Sequence, residues 1–291
     1  MAAIPTPASA HAAVRPTADS TTRTLLSRVP EVTLFFWIIK ILATTVGETA
    51  ADNLNETLGF GLTWTTVVMA VLLVICLFFQ FRMQRYVAGV YWLAVVLISV
   101  VGTLITDNLT DRFGVSLFLS TGVFAVVLAG VFFAWYRSEG TLSIHSITTA
   151  RRERFYWATV LATFALGTAA GDLTAATMHL GYLDSGILFT VLIAVPFVAW
   201  RWFGLGEIAA FWTAYVLTRP LGASFADWFG KDHRLSGLGY GDGTVAGIEL
   251  IAIIGFVAWL TISGHGVQRP KHAFRDLHPN YVPAGRDAET A

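Results

Sequence analysis

Long apolar runs alternate along this chain with short polar joints. A bilayer core of roughly 30 Å requires about 20 mostly apolar residues in a helix. Eight runs meet that requirement, over residues 32–52, 62–81, 88–107, 115–136, 155–172, 186–203, 207–226 and 244–262. The sixth and seventh are interrupted, one by Pro196 and the other by Arg219 and Pro220, and the joint from Arg201 to Gly206 is very short. Pro220 is predicted to break its helix and free a backbone carbonyl. Residues 1–30 are rich in Ala, Pro, Ser and Thr and lack the continuous apolar stretch of a signal peptide, so they are expected to form a disordered cytoplasmic tail. Residues 268–291 are polar, contain Pro270 and Pro283, and carry the same expectation. Between the tails, residues 31–267 are expected to form one transmembrane domain.

Composition agrees with the pattern. Hydrophobic residues make up 55% of the 291, charged residues 13%, and mean hydropathy is +0.63, an apolar excess too high for an ordinary soluble domain. The single cysteine, Cys76, lies in an apolar run, which excludes an intrachain disulfide framework and a cysteine-based zinc site. Net charge is zero, so the placement of charge carries the information. Fourteen of the nineteen Lys and Arg residues fall in the two tails and in the joints after the second, fourth and sixth runs. The opposite joints hold only Arg112, Lys231 and Arg234, and Lys40 and Arg219 lie inside runs. Lys and Arg concentrate on the cytoplasmic side, which predicts both termini there.

An internal repeat organises the runs. Trp37 is followed ten residues on by Gly47 and five later by Asp52. The same spacing, without a gap, gives Trp92, Gly102 and Asp107; Trp157, Gly167 and Asp172; and Trp212, Gly222 and Asp227. One triplet falls in each pair of runs, so the predicted units are 31–85, 86–150, 151–203 and 204–267, each an outward helix, a turn and a helix back. Because each unit crosses twice, the four are parallel rather than inverted. The expected fold is all-α: eight transmembrane helices in four parallel tandem hairpin repeats.

In this the chain resembles a bacterial integral membrane protein family of four tandem two-helix repeats, each with a tryptophan in its first helix, described only as a repeat of unknown function. The resemblance covers nearly all of residues 31–264. It implies a multi-pass protein of the bacterial inner membrane with eight spans, and brings no activity and no mapped site.

Each repeated position has a structural and a functional reading. The tryptophans near the cytoplasmic ends suit interfacial anchoring or shared packing. The glycines stand among small residues that let membrane helices approach closely, which predicts that the first helices of the units surround a common axis. Asp52, Asp107, Asp172 and Asp227 fall at the outer helix ends, where they serve either as turn caps or as a ring that binds a cation or proton. After each glycine stand Glu48, Thr103, Thr168 and Ala223, so only the first unit has a deeper acid, about 6 Å further in. Lys40, Glu48, Arg219 and Glu249 are two charges of each sign inside runs and suit a buried ion-pair network or a polar path.

Carboxylates and threonine hydroxyls are hard oxygen donors, which points to a small hard cation as substrate, with a bound hard metal as the one conceivable cofactor. His179 and His233, in the outer turns, are weak candidates for a transition metal. HExxH, GxSxG and GxxxxGK are absent, as is a basic stripe with interleaved aromatics, and the run RRERF at Arg151–Phe155 is explained as a topology determinant. The expected partner is the lipid bilayer, with no nucleic acid. Three functions stay open: a cation transporter, a non-transporting structural or regulatory protein, and an intramembrane enzyme using paired carboxylates.

Overall fold

A computed structural model describes residues 27–268. Among the described residues the fold is all-α, with eight long helices and no strand: α1 Leu34–Asp52, α2 Gly61–Arg82, α3 Ala88–Asp107, α4 Leu117–Glu139, α5 Ala150–Asp172, α6 Gly181–Trp202, α7 Glu207–Gly230 and α8 Asp242–Ser263. Seven of them are long and apolar enough to cross a membrane; α7, with Arg219 in its middle, is the other. Residues 1–26 and 269–291 of the expected tails lie outside the described residues. Ser27–Pro30, expected as tail, instead docks on the helices: Val29 is buried and the Arg28 amide donates to the Ile147 carbonyl.

The odd-numbered helices form an inner ring and the even-numbered ones an outer layer. Over their most apolar windows, α1, α3 and α5 are 61–72% buried, whereas α2, α4, α6 and α8 are only 11–22% buried. The outer helices present contiguous apolar side chains, among them Val71, Val74 and Phe78 on α2, Val126 and Phe133 on α4, and Ile251, Ile254 and Ile262 on α8. Exposed apolar surface on this scale suits hydrocarbon, where helices satisfy their own backbone groups.

The repeat glycines close the ring. A Cβ on Gly47 of α1 would overlap the Ser99 side chain of α3, and one on Gly102 of α3 would lie 2.6 Å from Phe164 Cβ of α5. A Cβ on Gly167 of α5 would overlap Arg219 of α7, and one on Gly222 of α7 would overlap Thr44 of α1. Every contact therefore sets the glycine of one unit against the residue seven after the tryptophan of the next, and the last returns to the first. That cycle is the close small-residue packing expected of membrane helices, with four-fold pseudo-symmetry.

The two helices of a unit do not pack mainly on each other. Instead α2 lies against α3, α4 against α5, α6 against α7, and α8 closes the circle on α1. Each unit thus lends its second helix to its neighbour. Pro220 does not break α7, which runs from Glu207 to Gly230 and is held on both sides by α1 and α5. The tryptophans settle inward as well: Trp92, Trp157 and Trp212 are at most 5% exposed, and Trp37 is half-buried against Phe36 and Phe211. Their shared role is packing rather than interfacial anchoring.

Candidate functional site

The ring encloses an axis whose layers follow from the repeat at intervals of four residues, the spacing that keeps side chains on one helix face. At the tryptophan end lie Phe36, Tyr91, Tyr156 and Phe211, each one residue before its Trp. Tyr91 and Tyr156 hydroxyls are hydrogen-bonded to each other, and the aromatic layer fills that end of the axis. Next come Lys40, Val95, Val160 and Tyr215, then Thr44, Ser99, Phe164 and Arg219. All eight are buried. The following layer is Glu48, Thr103, Thr168 and Ala223, and the last is the four repeat aspartates.

Arg219 is the hub. Its Nη2 donates to Glu48 Oε2 at 2.5 Å, to Thr168 Oγ1 at 2.8 Å and to Thr103 Oγ1, and its Nη1 donates to the Thr44 carbonyl at 3.4 Å. One guanidinium on α7 therefore ties together α1, α3 and α5. Thr103 Oγ1 donates in turn to Glu48 Oε2 at 3.1 Å. A guanidinium suits this position because its donors fan out in one plane and its charge is permanent. Arg219 Nε and Ser99 Oγ remain buried without a partner.

Lys40 lies one layer nearer the tryptophans and is 1% exposed. Its ammonium donates to Thr218 Oγ1 at 3.3 Å and sits over the Phe164 and Tyr215 rings, at 4.2 and 4.4 Å from their centroids. Aromatic faces attract cations most strongly when water is excluded. Glu249, expected in the same network, joins neither Lys40 nor Arg219. It faces Thr45 from α8, and its Oε2 is buried without a partner. The four charges, of which Glu249 is only half-buried, thus resolve into one ion pair and two separate groups.

At the other end the aspartates do not cap the turns. Asp52, Asp107 and Asp172 each close an α-helix and precede a single π turn, over Asn53–Thr57, Asn108–Arg112 and Leu173–Thr177, with no capping bond from the side chain. Asp227 lies within α7. Oxygens of Glu48, Asp52 and Asp227 lie within 4.8 Å of one another, a spacing that one metal ion spans. Asp107 and Asp172 are half-buried and lie within Coulombic reach of Glu48 and Asp52. Among the described residues, the side chains of Asp107, Asp172 and Asp227 make no ion pair and no hydrogen bond.

Two protein cations flank the acid trio. Arg219 holds Glu48 from below, and Lys231, in the connection after α7, reaches over from above. Lys231 Nζ is 2.8 Å from Asp52 Oδ2, 3.5 Å from Glu56 Oε2 and 3.9 Å from Asp242 Oδ2. Partial burial lowers the affinity of its amine for a proton, but the Asp52 and Asp227 carboxylates outweigh this and hold it above the ordinary lysine value. Sequence reading placed Lys231 only among the loop charges. Extending the repeat by four residues would have singled it out, because Glu56, Asp111 and Ala176 occupy its position in the other units.

The histidines stand in turns. His179 adopts a left-handed backbone, φ 57°, where the first two units have Gly59 and Gly114, both at φ 68°. His233 is exposed and its Nδ1 hydrogen-bonds the Gly237 carbonyl at 2.9 Å.

A ring of small-residue helices inside an apolar outer layer defines a helical membrane protein built by tandem repetition. The chain belongs to the family Repeat of Unknown Function (DUF347), whose model matches residues 35–86, 90–141, 155–204 and 210–265. Each match takes in one inner helix and the outer helix that follows it. No curated protein and no solved structure matches the chain.

Proposed function

We propose that this protein spans the bacterial inner membrane eight times, with both termini in the cytoplasm, and transports a small hard cation along the axis of its inner ring. Orientation rests on the one-sided distribution of Lys and Arg. In it, α7 counts as a span because its charged residue faces the axis and not the lipid.

One observation carries the reading. Three of the four repeat aspartates, Asp107, Asp172 and Asp227, lie close to the Glu48 and Asp52 carboxylates with no ion pair and no hydrogen bond on their own side chains among the described residues. Unpaired carboxylates at the edge of a bilayer are expensive, and a bound cation or proton supplies what the protein withholds. The carboxylate layer would receive the ion at the outer end, with Glu48, Thr103 and Thr168 beneath it. The aromatic layer at the tryptophan end would close the path, so passage requires that layer to open.

The test is uptake into proteoliposomes of Mn²⁺, Mg²⁺, Ca²⁺ and Na⁺ by the wild type and by Asp107→Asn/Asp172→Asn. Neither residue holds a structural partner, so the double variant should fold and melt as the wild type does. It is expected to reduce flux of the transported ion about tenfold or more. Equal flux in both proteins, or none in the wild type, overturns the reading.

A structural role is the second reading, and the Arg219 hub favours it. A guanidinium that bonds groups on three other helices would fasten the ring whether or not anything passes through it. Under that reading Asp107→Asn/Asp172→Asn changes nothing but surface charge.

A further inference from the structure

The Lys231 ammonium sits where a cation arriving from the aspartate end would first meet the carboxylates. Asp52, Glu56 and Asp242 surround it from α1, from the π turn that follows α1, and from α8. The lysine backbone is fixed: its N–H donates to the Asp227 carbonyl at 2.9 Å and its carbonyl accepts from Gly239 at 2.9 Å. Gly237 lies so close against that carbonyl that a Cβ there would overlap it. The side chain is freer, with 15% exposure and four rotatable methylenes.

Two further observations mark the pocket as a place for a positive ligand rather than a surface pair. Asp227 is 5% exposed, has no side-chain partner among the described residues, and directs an oxygen to within 4.8 Å of oxygens on Asp52 and Glu48. Asp242 Oδ1 is buried with no partner. One ammonium has three directional protons and cannot satisfy so many carboxylate oxygens, whereas a hard divalent ion accepts six or more oxygen ligands.

We propose that Lys231 is a tethered competitor for a divalent-cation site formed by Glu48, Asp52 and Asp227, and that it sets the affinity of that site. A cation enters by displacing the ammonium from Asp52. The fourth unit carries the lysine where the first two units carry acids, so one unit supplies the counter-charge that the others leave open. This rests on the transport reading only for the idea of entry; the site itself is a matter of binding.

Isothermal titration of the purified full-length protein in detergent with Mn²⁺, and separately with Ca²⁺, tests it. Lys231→Met, and Lys231→Gln as a second variant, should bind one ion about tenfold more tightly than the wild type, and Lys231→Arg should stay near the wild type. Adding Asp52→Asn to Lys231→Met should abolish the gain. Arg112→Met removes an exposed cation at the same end, one that bonds only Thr63 Oγ1, and should shift affinity less than twofold. Unchanged affinity in both Lys231 variants, no binding by any protein, or an equal gain from Arg112→Met overturns the proposal. A gain in binding without any flux would sink transport and leave the site standing; flux lost in Asp107→Asn/Asp172→Asn with no Lys231 effect would do the reverse.

Discussion

At His179 the backbone takes a conformation that costs an L-residue roughly 1 kcal/mol and costs glycine nothing. The side chain is exposed and holds no partner among the described residues that would offset it. Replacing His179 with Gly should therefore raise the apparent melting temperature in detergent by a few degrees, while binding of Mn²⁺ or Ni²⁺ stays as it was. A lower melting temperature would mean that the imidazole makes a contact worth more than the strain. The same residue shows where sequence reading stops. A histidine in an outer turn reads as a metal candidate by its chemistry, and only the backbone reveals that it stands in for the glycine of the other turns. The ring glycines were legible because their function is steric and their spacing strict: Gly47, Gly102, Gly167 and Gly222 each leave room for a neighbouring helix. The tryptophans were legible in position but not in role, since the same periodicity serves a residue facing lipid and one facing its neighbours.

The helices themselves followed from apolar length, and the eight expected runs all became helices with ends shifted by a few residues. Their pairing did not follow. A short turn between two apolar runs suggests a hairpin, yet each second helix lies on the next unit; in the first three units a π turn after the aspartate, and in the fourth a longer loop, leads the chain away from its own first helix. In the first three units that turn repeats its bonds: Leu58, Phe113 and Met178 donate to the carbonyls of Asn53, Asn108 and Leu173. At the opposite end the units are locked by a buried polar clamp. Glu153 at the start of α5 is fully buried, pairs with Arg28 Nη1 at 2.7 Å and accepts from Gln80 Nε2 of α2 at 2.9 Å. Its place in RRERF makes it look like part of a solvated basic run. Glu153→Ala should strip the clamp from Arg28 and Gln80 together and cost about 3 kcal/mol, seen as a clear drop in thermal stability. Arg151→Ala, on an exposed partner of Glu139, should change it little.

Across the whole molecule the charged departures from the repeat fall in the first unit, with Lys40 and Glu48, and in the fourth. The fourth supplies Arg219 on the axis and Lys231 at the aspartate end, and both reach acids of the first unit, Glu48 and Asp52, its neighbour in the closed ring. Duplication alone would give four equal helices around four equal acids, a cluster of like charge with nothing to hold it together. Placing two cations in one unit and the extra acid in another turns that repulsion into a specific join at the seam between α7 and α1. Arg219→Met should then do more than lose one bond: it would leave Glu48 buried without its cation and release α3 and α5 from the hub, at a cost of about 3–5 kcal/mol. Glu48→Leu alone leaves the guanidinium buried with neutral acceptors only, two threonine hydroxyls and the Thr44 carbonyl, and should cost nearly as much. Because the penalty in each case comes from the orphaned partner, Arg219→Met combined with Glu48→Leu should recover most of the lost stability, and a double-mutant cycle on melting temperature measures the coupling. If the combined variant is instead as unstable as the two losses added together, Arg219 holds the ring through Thr103 and Thr168 and not through the acid. Recovery of stability in the combined variant, together with loss of cation flux, would separate what Glu48 does for the fold from what it does on the axis.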